Sequence, residues 1–424
     1  MENHRNWAGN YQYRAAELYA PETIEQLQEW VAAKDSIRVL GTRHSFNGIA
    51  DTTASHLSLS KLSTVVELDR ANNRVTVEGG IRYGELCQYL HANGYALHNL
   101  ASLPHISVAG ACATATHGSG DGNGNLATAV HALEIVRADG EKTTFTRGQS
   151  DGLFDGAVVG LGGLGVVTKL TLDIVPSFDV SQEVFERLPF EQLEERFDAI
   201  ASSAYSVSLF TDWQSDAINQ VWRKRVVTEE GQGIGGEQAE ATLFGAVRAD
   251  GKRHPVFGHD AVHCTEQLGV AGAWHERLPH FRLQFTPSSG EELQSEYIVP
   301  RAHAYEALSA LNRIRERIAP LLYTSEIRTI AEDRLWLSSS YKRPSVAIHF
   351  TWKPDWEAVR QLLPVIESQL APYEARPHWG KLFTMGAEEL QPLYEKLPDF
   401  RKLLFQQDPN GKFRNEYMRT YILA

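Results

Sequence analysis

A run of small residues at positions 102–120 places the tightest constraint on how this chain can fold. Of its 19 residues, 14 are Gly, Ala, Ser, Thr, Val or Cys. Side chains of this size let the backbone approach another group closely, and backbone N–H groups with Ser and Thr hydroxyls can then bind a diphosphate. The same composition suits a tightly packed interior turn, so the run by itself leaves both interpretations open.

Charge and cysteine content exclude several classes of partner. The 424 residues carry 41 Lys and Arg against 53 Asp and Glu, a net charge of −12, which argues against nucleic acid or a membrane bound by net positive charge. Cys87, Cys112 and Cys264 are too far apart for a Cys-x-x-Cys redox or zinc site. Since no apolar run approaches the roughly 20 residues of a membrane helix and no signal-peptide pattern is present, we expect a cytoplasmic monomer without a metal site.

The periodicity of apolar residues predicts an α+β fold. Short helix and strand patterns alternate up to about residue 176, and short mixed elements return from about residue 377. Between them the pattern predicts longer elements: strands at 281–286, 322–330 and 345–352, helices at 303–318 and 356–370, and an exposed loop at 228–238.

A glycine run at residues 160–165 fits the G-x-G-x-x-G spacing of dinucleotide-binding proteins. That fingerprint requires a strand before the glycines and a helix after them, so that the pyrophosphate meets the helix N-terminus. Here a strand pattern follows the glycines. The order therefore predicts a tight helix-to-strand turn and disfavours an NAD-binding Rossmann fold.

The predicted strands each have one apolar and one polar face. Because side chains alternate along a strand, one polar face carries Thr324, Glu326 and Arg328 and another carries His349 and Thr351. In 281–286 the polar positions are 282, 284 and 286. Such faces often meet water. Their mixture of Glu, Arg, His and Thr without Lys equally suits a ligand rich in hydroxyl groups, which both donate and accept.

Segments 41–47, 102–120 and 160–168 resemble the FAD-binding segments of the vanillyl-alcohol oxidase superfamily, and within it the alditol oxidases. The resemblance continues in order over essentially the whole chain, at 265–267, 274–281, 286–297, 326–329, 349–352, 376–381 and 408–413. It implies an α+β fold of two domains: an FAD-binding domain at 1–176, a substrate-binding cap domain with a large antiparallel sheet and flanking helices at 177–376, and a segment at 377–424 that returns to the FAD domain.

The resemblance implies that FAD is bound covalently, through the flavin 8α-methyl carbon and His44. Many relatives have Gly at the positions of Arg43 and Ala115, so this chain departs from the family pattern there. The implied FAD contacts are Gly41, Thr42, Arg43, His44, Ser45, Phe46, Asn47, Ser102, Ser107, Gly110, Thr114, Ala115, Thr116, His117, Val167 and Asn415.

The resemblance also implies the reaction and its pocket. The terminal C1 hydroxyl of a linear alditol such as xylitol or sorbitol is oxidised to an aldose, with hydride passing to flavin N5 and O2 reduced to hydrogen peroxide. The implied pocket residues are Ser102, Gln294, Glu326, Arg328, His349, Thr351 and Lys381, of which Glu326, Arg328, His349 and Lys381 are the catalytic candidates.

Each of those four has a hypothetical role. Arg328 and Lys381 favour alkoxide-like charge, Glu326 fixes the neighbouring hydroxyl, and His349 is a candidate proton acceptor. Three alternatives stay open: a sugar-1,4-lactone oxidase or dehydrogenase on the same fold, an NAD-dependent dehydrogenase, and an inert sugar-binding module.

Overall fold

Two kinds of sheet organise the chain, a set of small sheets and one large antiparallel sheet. The structure, a computed structural model, describes residues 4–149, 151–227, 241–283, 285 and 292–424. Its strands are Glu17–Tyr19 (β1), Ile37–Val39 (β2), Ser55–Leu57 (β3), Val65–Asp69 (β4), Arg74–Glu78 (β5), Tyr95–Ala96 (β6), Val130–Val136 (β7), Lys142–Thr146 (β8), Val166–Asp173 (β9), Val175–Pro176 (β10), Asp179–Pro189 (β11), Ser206–Thr211 (β12), Ala217–Val227 (β13), Thr242–Leu243 (β14), Ala246–Arg248 (β15), Gly272–Ala273 (β16), Leu293–Pro300 (β17), Leu322–Ile330 (β18), Ser345–Trp352 (β19) and Arg376–Pro377 (β20).

The α-helices lie between these strands and after them. They are Ile24–Ala33 (α1), Tyr83–Ala92 (α2), Val108–Ala113 (α3), Leu153–Ala157 (α4), Gln192–Ala201 (α5), Ala304–Asn312 (α6), Arg315–Ile318 (α7), Trp356–Leu370 (α8), Ala387–Leu390 (α9), Leu397–Gln407 (α10) and Glu416–Met418 (α11). Among the described residues, none of these helices has both the length and the apolar character needed to cross a membrane.

The small sheets occupy the first part of the chain. Strands β1, β3 and β2 form a parallel sheet, and β4, β5, β9, β7 and β8 form an antiparallel one, in that spatial order. The glycine run lies between α4 and β9, so the helix-to-strand order predicted for it is confirmed. Within it, Leu161, Gly162 and Gly165 have positive φ, as a tight turn of this kind requires.

The large sheet has ten strands and lies beyond residue 176. Its order is β14-β15-β11-β13-β12-β18-β19-β17-β20, with β16 beside β11. On one face, Val346, Ile348, Phe350 and Trp352 of β19 are buried in one apolar core with side chains of α5, α6 and α8. Burying each such side chain stabilises the fold by about 1.5–3 kcal/mol, so the helices hold this face and leave the opposite face to the polar residues.

Most of the predicted longer elements form, and one does not. The strands at 322–330 and 345–352 and the helix at 356–370 have the predicted bounds. The helix predicted at 303–318 is interrupted after Asn312 and continues as α7. The strand predicted at 281–286 is wrong for its described residues, because Phe281 makes a single bridge to Cys264 and 282, 283 and 285 pair with no strand. Gln284, Thr286 and the predicted loop at 228–238 lie outside the described residues.

Buried polar side chains join the C-terminal segment to the first part of the chain. The guanidinium of Arg38 is 2% exposed and donates to the carbonyl oxygens of Ile49, Leu161, Gly162 and Phe413. The C-terminal helices α9, α10 and α11 share an apolar core with residues of β5, β7 and β9. These contacts support the proposed division into an FAD-binding domain at 1–176, a cap domain at 177–376 and a returning segment at 377–424. Strand β20 lies across the boundary between 376 and 377, and it pairs with β17 of the cap domain.

Candidate active site

A cavity of about 590 Å³ lies between the small sheets and the polar face of the large sheet. The predicted FAD contacts that line it are Gly41, Thr42, Arg43, His44, Ser45, Phe46, Ser102, Ser107, Gly110, Thr114, Thr116, His117 and Val167. The predicted substrate residues that line it are Ser102, Gln294, Glu326, Arg328, His349, Thr351 and Lys381. The cavity thus brings together segments that are hundreds of residues apart in the sequence.

Glycines form part of the cavity wall because the backbone there is closely approached by other backbone atoms. A Cβ at Gly79 would lie 2.1 Å from the carbonyl oxygen of Val167, and one at Gly80 would lie 1.9 Å from that of Leu59. At Gly110 a Cβ would lie 2.8 Å from Ser107 Oγ. A side chain at these positions would therefore clash with the protein's own atoms, so this part of the wall requires glycine.

His44 has an unusual environment at this wall. Its Nδ1 lies 3.0 Å from Thr42 Oγ1, and the ring stacks on Trp7 at 5.4 Å with an interplanar angle of 20°. Its Nε2 is buried and has no hydrogen-bond partner among the described residues. Burial lowers the pKa of His44 to about 4, so the imidazole is neutral at pH 7 and keeps a lone pair.

Arg43 and Ala115, where this chain departs from the family pattern, both have a left-handed backbone conformation. Arg43 has φ 65° and Ala115 has φ 53°. This left-handed region favours glycine, and a residue with a Cβ adopts it at a cost of roughly 1–2 kcal/mol. Arg43 and Ala115 thus adopt a conformation in which glycine would be free of this cost.

Three predicted FAD contacts do not line the cavity and instead support its wall. Asn47 Nδ2 donates to the carbonyl oxygens of Trp379 and Lys381, at 2.9 and 2.7 Å. Asn415 Nδ2 lies within hydrogen-bond distance of the carbonyl oxygens of residues 48, 49 and 51. Ala115 is buried at the end of α3. Their predicted contact with FAD remains a prediction.

The register of the large sheet places the acidic and basic residues side by side. Glu296 of β17 pairs with His349 of β19, and His349 pairs on its other side with Glu326 of β18. Arg328 lies one position further along the same face of β18. Neighbouring strands are only about 4.8 Å apart, so this register creates a compact polar cluster on the cavity side.

Glu296 lies between the two cationic side chains of this cluster, Arg328 and Lys381, and contacts both. It is 1% exposed, and its carboxylate accepts from Arg328 Nη2 at 2.9 Å and from Lys381 Nζ at 2.7 Å, with His117 Nε2 at 3.3 Å. Burial by itself would raise the pKa of Glu296, but Lys381, His117 and Arg328 outweigh it and hold the pKa well below its ordinary value. A stably ionised carboxylate therefore anchors both cations.

Glu326 lies on the other side of Arg328. Its Oε1 is 2.7 Å from His280 Nε2 and 3.6 Å from Arg328 Nε. Burial opposes ionisation, yet Arg328 and His280 lower the pKa of Glu326 below its ordinary range. Arg328 Nε itself is buried without a hydrogen-bond partner among the described residues. The cluster thus offers an ionised acceptor and an unused donor at the cavity.

His349 is held by groups on both ring nitrogens. Lys381 Nζ lies 2.8 Å from Nδ1 and Thr351 Oγ1 lies 3.1 Å from Nε2. Burial, together with Lys381, lowers the pKa of His349 well below its ordinary value, so the ring is neutral. Since an ammonium can only donate, Nδ1 is the unprotonated nitrogen and Nε2–H donates to Thr351.

Four further buried residues belong to this region and were not predicted from the sequence as parts of the site: Lys224, His280, Glu296 and His378. Glu296, His280 and His378 line the cavity, whereas Lys224 lies behind His280. Alternation gives a signal for Glu296, which shares a face with Gln294 on β17. His280 and Lys224 carry no such signal, because one lies outside the strands and the other in a strand of mixed burial.

Two family models match the chain. Residues 15–146 match the model of an FAD binding domain, and residues 288–421 match the model of D-arabinono-1,4-lactone oxidase. An alditol oxidase from a Streptomyces species is 48% identical over 420 residues, which cover 98% of each chain. This chain belongs to the alditol oxidase family. The L-gulono-1,4-lactone dehydrogenase of Mycobacterium tuberculosis is a more distant relative of this chain, with 27% identity over 98% of each chain.

Solved structures show the same fold. Cholesterol oxidase from B. sterolicum superimposes with a TM-score of 0.75 at 13% identity, over 99% of this chain and 96% of its own. Xylooligosaccharide oxidase from Myceliophthora thermophila C1 gives 0.75 at 14% identity, over 98% and 93%. The alditol oxidase family member thus has the vanillyl-alcohol oxidase fold expected from its sequence. It is an FAD-dependent oxidoreductase, and the NAD-dependent alternative has no support.

Proposed function

We propose that this protein oxidises the terminal C1 hydroxyl of a linear alditol, such as xylitol or sorbitol, to the aldose, with O2 as electron acceptor and hydrogen peroxide as product. The observation that carries the proposal is the polar cluster on the cavity face of β17, β18 and β19. It combines ionised acceptors at Glu296 and Glu326 with cationic donors at Arg328 and Lys381. An acyclic polyol has little apolar surface and needs donors and acceptors together.

The opposite wall of the cavity fits FAD. Glycines and small side chains line it, and His44 presents a neutral ring whose Nε2 has no hydrogen-bond partner in the part of the chain that the structure describes. Bound FAD would supply the two-electron acceptor, taking the hydride from the substrate carbon and passing the electrons to O2. A neutral imidazole is the form that can form a covalent bond to the flavin 8α-methyl carbon, so we propose that His44 carries the cofactor.

Different side chains of the cluster bind the reacting oxygen and the neighbouring hydroxyl of the substrate. Arg328 and Lys381 stabilise the negative charge that develops on the reacting oxygen. Glu326 accepts a hydrogen bond from the neighbouring hydroxyl, while Ser102, Gln294 and Thr351 complete the pocket. Ser102 Oγ lies 3.3 Å from Arg328 Nη1, which links the small-residue segment to the polar cluster.

His349 is our candidate proton acceptor, and its surroundings define how it would act. Its basic nitrogen, Nδ1, is occupied by the Lys381 ammonium at 2.8 Å. The substrate hydroxyl therefore has to replace Lys381 at that nitrogen before its proton can be transferred. The transfer then creates an imidazolium whose Nε2–H donates to Thr351, as in the resting state.

The test of the proposed function is the peroxide yield of the purified yellow protein. We expect xylitol and sorbitol to give one hydrogen peroxide per aldose, with a kcat/KM for xylitol well above that for L-gulono-1,4-lactone. A hydroxyl-binding site discriminates strongly against ligands that leave its polar groups unpaired, by roughly 10⁴-fold in favourable cases. Peroxide formation in a coupled peroxidase assay, with each substrate at matched concentration, measures the ratio.

A lactone-oxidising enzyme is the second candidate, because residues 288–421 match the lactone oxidase model. Faster turnover of the lactone than of xylitol would reject the alditol proposal and support this one. Turnover in air without an added dye separates an oxidase from a dehydrogenase, since only the oxidase passes its electrons to O2. Reduction of an artificial dye under nitrogen, followed by the absorbance of the dye, should occur with either enzyme and serves as the control for activity.

We further propose that the protein is a cytoplasmic monomer. All three cysteines are buried free thiols, as suits a reducing compartment. A molar mass near the 47.3 kDa of one chain, measured by light scattering, would support the monomer, and twice that mass would reject it.

A further inference from the structure

A buried lysine lies behind the polar cluster. Lys224 of β13 is 1% exposed, and its Nζ donates to the carbonyl oxygens of Leu278 and Pro279 and lies 3.2 Å from His280 Nδ1. On the other side of that imidazole, Nε2 lies 2.7 Å from Glu326 Oε1. A continuous chain of hydrogen bonds therefore runs from Lys224 through His280 to a carboxylate at the cavity.

The chemistry of the lysine determines how the imidazole is protonated. Protonated Lys224 has three donors and no acceptor. With two of its donors directed at the carbonyls of Leu278 and Pro279, the ammonium form can only donate to His280 Nδ1. A neutral imidazole with its acceptor at Nδ1 carries its proton on Nε2 and donates it to Glu326. Burial lowers the pKa of His280 to about 4, which agrees with a neutral ring.

Two aromatic side chains fix the plane of the imidazole. Phe210 and Trp222 approach the His280 ring edge-to-face, with centroid distances of 5.5 and 5.3 Å. Trp222 is fully buried, and its Nε1 donates to Gln220 Oε1 at 2.7 Å, so its own position is fixed as well. The ring is thereby packed in one orientation, with Nε2 directed at Glu326.

We propose that Lys224 and His280 form a positioning relay, in which the ammonium holds His280 in the tautomer that donates to Glu326 and so presents the ionised carboxylate to a substrate hydroxyl. This role rests on the proposed function, because it assigns Glu326 to substrate binding. Neither residue contacts the substrate in the proposed reaction, and the relay gives a reason for a buried lysine at a position where a hydrophobic residue of similar length would pack.

The relay makes a specific prediction about pH. The titratable or charged groups facing His280 are Lys224, Glu326 and Arg328, and Cys264 faces Lys224. Burial lowers the pKa of Lys224 to about 7, so the ammonium is the main form below neutral pH, and in that range its charge disfavours protonation of His280. Removing that charge should raise the pKa of His280, so the ring would become an imidazolium at higher pH than in the wild type.

The test compares Lys224→Met, His280→Leu and His280→Gln with the wild-type holoenzyme. For Lys224→Met we expect KM for xylitol to rise about tenfold while kcat changes by less than about threefold, as for a lost hydrogen-bonded charge that acts on binding. We also expect the acidic limb of the kcat/KM profile to move to higher pH. His280→Leu should show the same KM increase without the moved limb, because leucine cannot titrate.

His280→Gln is the conservative variant. Its amide oxygen can accept from Lys224 and its amide nitrogen can donate to Glu326, so KM should return to within about threefold of the wild type. Flavin content and the thermal midpoint, measured for every variant, identify any loss caused by misfolding, and rates are expressed per bound flavin.

The proposal is overturned if Lys224→Met leaves KM per flavin and the acidic limb unchanged, or if His280→Gln is as impaired as His280→Leu. A failure of the proposed function would look different, since the wild type would then not oxidise xylitol. In that case the same variants are compared on L-gulono-1,4-lactone, and the same two outcomes decide the relay.

Discussion

Replacing Lys381 with methionine should lower kcat/KM for xylitol by at least about 100-fold, most of it in kcat. The ammonium lies 2.7 Å from Glu296 and 2.8 Å from His349, at the wall of the cavity. Removing one preorganised donor from a site where negative charge develops typically costs a factor of 10²–10³. Methionine keeps the length of the side chain, so the loss can be assigned to the charge and the hydrogen bonds.

The measurement is steady-state peroxide formation per bound flavin, with anaerobic flavin reduction as a second readout of the chemical step. Lys402→Met is the matched control, because Lys402 makes an ion pair with Asp399 at the surface and its side chain is 74% exposed. The control should be indistinguishable from the wild type. Normal turnover of Lys381→Met on xylitol would show that Lys381 has no part in the reaction.

Replacing His44 with alanine should abolish the retention of flavin after acid denaturation. The wild-type protein is expected to precipitate yellow, because a covalent bond survives unfolding while every non-covalent contact is lost. His44 is the candidate because its ring is neutral, with a pKa lowered by burial to about 4, and its Nε2 has no hydrogen-bond partner among the described residues. Absorbance of the pellet and the supernatant near the flavin maximum gives the bound fraction.

His91→Ala serves as the control for this experiment, since His91 is an exposed histidine on α2. It should retain the flavin in the pellet as the wild type does. Free flavin in the supernatant of the wild type would contradict the linkage altogether. Flavin retained by His44→Ala would place the bond on another residue.

Much of the secondary structure followed from local patterns. The bounds of β18, β19 and α8 agree with the periodicity of their apolar residues, because alternation and helical spacing depend only on neighbours in the chain. The failed strand at 281–286 has the same alternation. It is not a strand in its described part, where pairing is limited to one bridge between Phe281 and Cys264. Alternation shows which side a residue would face, but a strand needs a partner.

The sequence also selected part of the candidate site, while other features of the site depend on the fold. Local pattern and family resemblance were enough to select Glu326, Arg328, His349 and Thr351, and alternation correctly placed them on the face opposite the apolar core of α5, α6 and α8. Their separate roles and their contact with FAD remain predictions. Asn47 and Asn415, selected by resemblance, support the wall from behind without lining the cavity.

His280 and Lys224 could be recognised only in three dimensions, and so could the contacts of Glu296, for which alternation indicates only the face of β17. Glu296 joins the site because β17 pairs with β19 in a register that sets it beside His349, and a shift of one residue would turn it into the helical core. Lys224 and His280 meet because β13 and the segment after Pro279 pack behind Glu326. Side-chain direction is a property of the local backbone, so the sequence could supply it, whereas register and the packing of distant segments depend on the whole sheet at once.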